Sequence, residues 1–389
     1  ISCSLVGSEM CIRDRSNMRK ILLFLSFCIL ISCKNEKSSN LYSYNLKATG
    51  SVKSFTLDSD VRYNAFYLYT FKDDKGKEYL SFLNYRTNQI LFYDLKTTDF
   101  LFKLDLDSEG PNGIVQASGF YIKDFDNIYM SSYAYSGLIR VDTSSHIVQK
   151  IPYGTTDKGY NVVPSYTPSS HPYIPPIIID GKIYITQQNA VQFSPATKTP
   201  LSVAIDTVQK KCEGLPLTYG ILTDEELRAN DTGFSRIFNG EDFVYSFYVN
   251  EDIIIASVDH SKVRRIKVKS KYIESPTGIQ ERSEQGPKLN LELARYGDLV
   301  YDPYREVYYR FVYPKTSLED NIRWWGKSVY GRKLFSVIIL NKEFEIIGET
   351  LFPEAIYNSY VFFVHKDGLY ISLSLIHISE PTRLQLISY

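Results

Sequence analysis

Cysteine is scarce in this sequence: five residues in 389, at positions 3, 11, 28, 33 and 212. So few thiols exclude a disulfide-stapled scaffold, and the fold has to be held by a packed core. An excess of one charge is also missing, since 44 basic residues balance 44 acidic ones. A neutral chain is neither a strongly basic nucleic-acid binder nor an acidic-tail protein. Histidine is rare too, and His146, His171, His260 and His365 do not pair at metal-ligand spacing. No CxxC, HExxH, Gly-x-Ser-x-Gly or phosphate-binding glycine loop occurs. No metal, cofactor or catalytic residue is therefore predicted, and whether the chain is an enzyme stays open. Helix signal is limited to Thr223–Arg228, one or two turns opened by an N-cap threonine.

What is abundant is aromatic: 32 Tyr and 22 Phe within a hydrophobic content of 44%. That content suffices for a core and is too high for a disordered chain. Tyr, Phe, Val and Ile suit the half-buried, pleated surface of a sheet.

The N-terminal region reads as an export signal. Met18-Arg19-Lys20 is a short positive segment, and Ile21 to Ile31 is an apolar run too short to span a bilayer comfortably. Leu30-Ile31-Ser32-Cys33 then fits a lipobox, in which Cys33 receives the lipid. Residues 18–33 are thus expected to be a lipoprotein signal peptide, and 34–45 a polar tether. Processing would leave Cys212 as the only free thiol. The expected location is the cell envelope, lipid-anchored to the outer membrane, with either face open. The expected partners are the membrane, through that lipid, and an unidentified ligand or protein.

The outermost residues carry a different signature. Leu5–Asp14 (LVGSEMCIRD) and Leu373–Thr382 (LSLIHISEPT) translate opposite strands of one sequencing-adapter oligonucleotide. Residues 1–17 and 373–389 are therefore expected to be foreign to the gene. The body is then residues 46–372, cut off near Ser372.

Within the body a strand–turn–strand pattern recurs six times. Its instances begin at Phe66, Phe120, Ile177, Phe243, Leu299 and Val361, with Asp/Gly/Asn turns such as Asp73–Gly76 and Asp180-Gly181. Further strand pairs follow in the first, second and fifth units, for example Ile90–Leu95 with Phe100–Leu104. Only poor strands are legible from Thr186 to Gly220 in the third. Four strands per unit and six units predict an all-β, six-bladed propeller-like fold whose last blade is truncated. Val52–Leu57 alternates and could close the ring. Paired β-sandwiches are the alternative.

These features resemble the propeller lipoproteins of Bacteroidota. The resemblance rests on the lipobox, the Tyr-rich repeats and the Leu106–Ile114 connection (LDSEGPNGI), and spans about residues 18–372. The chain is most similar to the domain-of-unknown-function 4221 family. Lys34-Asn35-Glu36 is similar to the surface-export signals of such proteins. The resemblance implies a propeller and brings no activity or site residues with it.

Two stretches are candidates for ligand contact. Pro152 to Pro176 is rich in Pro, Tyr and Ser, and Tyr160, Tyr166, His171 and Tyr173 offer flat amphipathic surface at low ordering cost. Arg323–Lys327 holds both tryptophans, Trp324 and Trp325, with Tyr330 nearby; a sugar or peptide could stack there. Asp105–Gly110 opens like a calcium loop, but Gln116 stands where the final glutamate belongs, so it reads as a connecting turn. His146, His260 and His365 sit beside Ser, Lys or Asp and read as exposed turn residues. Lys262–Lys269 reads as a strand with one solvated, basic face. The leading expectation is a non-catalytic binding propeller. The alternative is a glycan-active enzyme with carboxylates in the funnel of the ring.

Overall fold

The structure is a computed structural model and describes residues 43–57, 68–159, 162, 174–187, 198–228, 232–274, 276, 292–317, 333–373 and 383–388. Short-range chemistry sets its hairpins. In the third unit, Asp180 (φ 48°) and Gly181 (φ 77°) are the two central residues of a tight turn between Ile179 and Lys182. Two positive φ values match the twist of the flanking strands, and Asp-Gly accepts them at little cost. Elsewhere an aspartate at a strand end folds the chain back. Asp94 accepts from the backbone N–H of Lys96 and Thr97, Asp142 from Ser144 and His146, and Asp206 from Val208 and Gln209.

These turns organise the described strands into six four-stranded antiparallel sheets. After a first strand, β1 (Val52–Thr56), blade one is β2 (Leu68–Lys72), β3 (Glu78–Asn84), β4 (Gln89–Asp94) and β5 (Phe100–Asp105). Blade two is β6 (Ala117–Asp124), β7 (Asn127–Ser132), β8 (Tyr135–Val141) and β9 (Ile147–Pro152). Blade three is β10 (Ile177–Ile179), β11 (Lys182–Thr186), β12 (Ser202–Asp206) and β13 (Lys211–Gly214). Blade four is β14 (Phe234–Phe238), β15 (Phe243–Phe247), β16 (Asp252–Ala256) and β17 (Val263–Lys267). Blade five is β18 (Arg295–Asp302), β19 (Val307–Tyr313), β20 (Phe335–Leu340) and β21 (Ile346–Phe352). Blade six is β22 (Tyr357–His365), β23 (Gly368–Leu373), β24 (Arg383–Ser388) and, as its outer strand, β1.

The core lies between blades. Six apolar clusters each join two consecutive blades, and the last, with Phe55, Leu68, Phe82, Tyr93, Phe363 and Tyr370, joins the sixth blade to the first. First strands touch at four of the blade junctions, β2 with β6, β14 with β18, β18 with β22 and β2 with β22. The sheets therefore close into a ring, and the sandwich alternative falls. Closure uses the strand that the alternation of Val52–Leu57 points to. β1 pairs with β24 from Val52↔Ile387 to Thr56↔Arg383. Phe55 meets Tyr93 edge to face at 5.6 Å, and the Tyr93 hydroxyl donates to the Thr56 carbonyl at 2.9 Å. The sixth sheet thus has four strands, the third of them from the segment set apart on its coding sequence.

Four expectations need correction. In blade four the run Phe243–Phe247 is the second strand, because Phe234–Phe238, with fully buried Ser235 and Arg236, precedes it. In blade three, the weak stretch holds two strands, short and rich in small or polar residues. His260 and His365 are buried, since blade packing covers their turns; His146 is exposed. The Thr223 signal holds: the short helix α1 (Asp224–Arg228) has a reciprocal cap, the Glu226 N–H donating to Thr223 Oγ1 at 3.2 Å and the Thr223 N–H to Glu226 Oε2 at 2.7 Å. β17 carries Arg264, Arg265 and Lys267 exposed, but Val263 is exposed with them, so the strand does not divide into one apolar and one basic face.

Candidate binding site

Strand direction divides the ring into two unlike faces. The end where first strands finish and second strands begin is joined by tight turns, of which 257–262 is the longest. The opposite end is joined by the long connections 153–176, 187–201, 215–233, 268–294 and 314–334. Both candidate stretches of the sequence fall in those connections. Tyr160, Tyr166, His171 and Tyr173 lie between β9 and β10; Trp324, Trp325 and Tyr330 lie between β19 and β20. All seven, and Cys33, are outside the described residues. Their bracketing strands are described, and those of blade five end in a polar cluster.

That cluster starts from two bulges. β18 is irregular between Tyr296 and Leu299, and β22 between Asn358 and Phe362. A bulge re-aims the side chains it contains. In β18 the bulge holds Gly297 and Asp298. Gly297 packs under Tyr313, where an added Cβ would lie 2.6 Å from the ring. The buried Tyr313 hydroxyl is 3.1 Å from Ser359 Oγ on β22, tying blade five to blade six. Burial holds the Tyr313 phenol well above its ordinary range.

Two cations converge on that ring. The Arg295 guanidinium is 5.2 Å from the Tyr313 centroid and 5.8 Å from that of Tyr248, and its Nη2 is 3.3 Å from the Tyr360 hydroxyl. Lys333 Nζ is 5.9 Å from the Tyr313 centroid. Cation–ring contacts of this kind contribute ~1 kcal/mol each. Lys333 is only 3% exposed. Burial first, and then the Arg295 charge, push its ammonium down to about 7, while Glu292 opposes them. Asp298, also buried, accepts from the Tyr248 hydroxyl at 2.9 Å. The cluster therefore gathers two cations, three tyrosines and the Asp298 carboxylate within one small region.

Other buried polar groups are spent on the fold. All five hydrogen bonds of the Arg310 guanidinium go to blade four, to Ser246 Oγ and the carbonyls of Phe247, Asn250, Glu251 and Val268. Arg236 bonds Ser202 and the carbonyls of Pro175 and Tyr184. Tyr245 links Ser202 to His260 Nε2 at 2.5 Å. At the tight-turn end, His365 stands between Glu78 and Asp367, both at 3.0 Å, with Tyr304 donating to Glu78 at 3.3 Å. That group clasps blade six to blade one. Cys212 is free and buried. Among the described residues, no group of three or more His, Cys, Asp or Glu could hold a metal ion.

Sequence reasoning missed Arg295, Tyr313, Lys333 and Tyr360. They are scattered along the chain, and only the tryptophan-bearing connection, whose ends are Tyr313 and Lys333, pointed to their neighbourhood.

The fold and its one elaborated end define a six-bladed β-propeller with a polar cluster at the mouth of blades five and six. The chain belongs to the family Domain of unknown function (DUF4221), which matches residues 43–351. A solved member of that family from Bacteroides vulgatus ATCC 8482 is similar in structure, with a TM-score of 0.76 and 25% identity over 88% of this chain and 97% of the other. A Bacteroides fragilis NCTC 9343 protein, described as exported, shares the fold at a TM-score of 0.54 and 10% identity over 89% of this chain and 97% of its own. No curated protein matches.

Proposed function

We propose that this protein is a non-catalytic binding propeller of the cell envelope, held by lipid on Cys33, that presents its long-connection end to a ligand. The difference between the two ends carries this reading. Tight Asp-rich turns close the hairpins at one end, whereas the five longest connections and a charged aromatic cluster gather at the other. Function concentrates on elaborated loops over a rigid scaffold. Export rests on the order of start methionine, positive segment, apolar run and cysteine at 18–33; the likeness to the exported Bacteroides fragilis protein speaks for the fold alone.

Two measurements test the proposal. In a Bacteroidota host, labelled palmitate should mark the wild-type chain and not Cys33→Ala; equal labelling would end the anchor. The soluble domain, applied to an array of oligosaccharides and peptides, should retain a ligand without changing it. Turnover of a retained glycan would replace the binding reading with the enzymatic one.

A further inference from the structure

We infer that the lipid-anchored protein stands with its tight-turn end toward the membrane and its long-connection end facing away. The inference rests on the proposed lipid on Cys33 and adds which end of the ring that anchor leaves open to a ligand. It starts from the place where the chain joins the fold. Residues 43–46 lie outside the blades, along the outer strand of blade five. Tyr44 bridges Gly348 of β21 in parallel, and its N–H donates to the Ile347 carbonyl at 3.0 Å. The Leu46 N–H donates to Thr350 Oγ1 at 2.7 Å, and the Leu46 side chain packs on the apolar seam between blades five and six. A Cβ at position 348 would collide with the Tyr44 carbonyl oxygen, so glycine admits this close approach. The point of entry is thus pinned to blade five.

Direction follows from the register. β21 begins at the tight turn 341–345 and runs toward the long-connection end. A segment parallel to it runs the same way, so Ser43 lies on the tight-turn side of Tyr44. Gly348 is two residues, or ~7 Å, from the start of β21 and four residues, or ~13 Å, from its end. Ten residues, 34–43, separate Cys33 from Tyr44 and span at most ~38 Å. A bilayer at the tight-turn end is met without any reversal of the chain. A bilayer at the other end would require a reversal, then passage along the blade and past the long connections, which leaves little slack. The tight-turn end is also suited to lie beside hydrated headgroups without inserting. Lys75, Lys77, Lys96, Lys342 and Lys366 are exposed there among acidic residues. Tyr304 and Val208 are exposed there singly and make no apolar patch. The anchor, and not adsorption of the turns, therefore sets the orientation.

The test uses the processed chain, beginning at Cys33, joined to a phospholipid in vesicles by a cyanobenzothiazole reagent specific for an N-terminal cysteine. A fluorophore is carried on Lys75→Cys or Lys342→Cys at the tight turns, or on Arg86→Cys or Tyr133→Cys at the opposite end. All four positions are exposed, and Cys212 is buried. Lipid with a nitroxide on its headgroup should quench the first pair at least twofold more than the second. The same proteins without the lipid coupling should be quenched at neither end. Insertion of about twenty Gly/Ser residues after Ser38 should bring the ratio toward one, because a long linker no longer imparts direction. Equal quenching of the two pairs, stronger quenching of Arg86→Cys and Tyr133→Cys, a ratio indifferent to the linker, or quenching of the tight turns without the coupling would each overturn the inference. The lipid is attached chemically, so the outcome does not depend on acylation in the cell. A failed palmitate label would remove the natural anchor, whereas equal quenching would remove the orientation.

Discussion

Acid should loosen blade four through His260. Its imidazole is 2% exposed, with Nε2 2.5 Å from the Tyr245 hydroxyl and the ring 5.3 Å from Phe243. Burial pushes its pKa from 6.5 down to about 4. The unfolded chain therefore takes up the proton first as pH falls. His260 adds full stability above its unfolded value, and that contribution drains away as pH drops toward the folded one. The gap corresponds to a loss of about 3 kcal/mol once both states are protonated, and about 2.5 kcal/mol is already gone at about pH 4.5. Carboxylates also titrate in this range, so the perturbation is His260→Gln, which keeps a polar nitrogen facing Tyr245 but cannot ionise. Urea unfolding of both proteins would be measured at about pH 7 and about pH 4.5. The wild type should lose roughly 2 kcal/mol more than the variant between the two. Equal losses would refute the claim that a neutral, desolvated histidine sits in that turn.

Other perturbations follow from the same packing. Phe55→Ala empties the seam between blades six and one and should cost about 3–5 kcal/mol in urea unfolding; a cost below about 1 kcal/mol would mean β1 does not seal the ring. Arg310→Met removes the side-chain hydrogen bonds to four carbonyls of blade four and should destabilise by about 3 kcal/mol, whereas an unchanged melting temperature would show that the inter-blade bonds are dispensable. Glu78 is pushed up by burial but held lower overall by the hydrogen bond and charge of His365. It therefore stabilises above the ordinary carboxylate range and loses that contribution as pH falls through its folded value. Glu78→Gln should flatten the acid limb of the stability profile, and an unaltered limb would remove the clasp. Gly297→Ala places a methyl against Tyr313 and should cost about 1–3 kcal/mol. A variant as stable as wild type would contradict the packing of that bulge.

How much of this was legible depended on how local the signal was. Asp180-Gly181 and Thr223 act within a few residues, so turn chemistry and capping could be read directly. β1 could be read because Val52–Leu57 alternates, although its partner lies at the far end of the chain. Blade four was misframed because Arg236 looks like surface. Its guanidinium donates to oxygens of Ser202, Pro175 and Tyr184, which only the ring brings near. His260 and His365 looked exposed for the same reason: their sequence neighbours are polar, and the apolar cover comes from other strands and blades. The cluster of Arg295, Tyr313, Lys333 and Tyr360 was invisible because two bulges and a three-strand register create it, and neither is written in any one segment.

Hydrogen exchange, followed by mass spectrometry with and without a pool of neutral and uronate-bearing oligosaccharides, tests which end of the ring meets its ligand. Protection should appear at residues 292–298, 313–317, 333–336 and 357–360. Protection confined to the tight turns at 73–77, 302–306 and 365–368, or none anywhere, would contradict a binding role for the long-connection end.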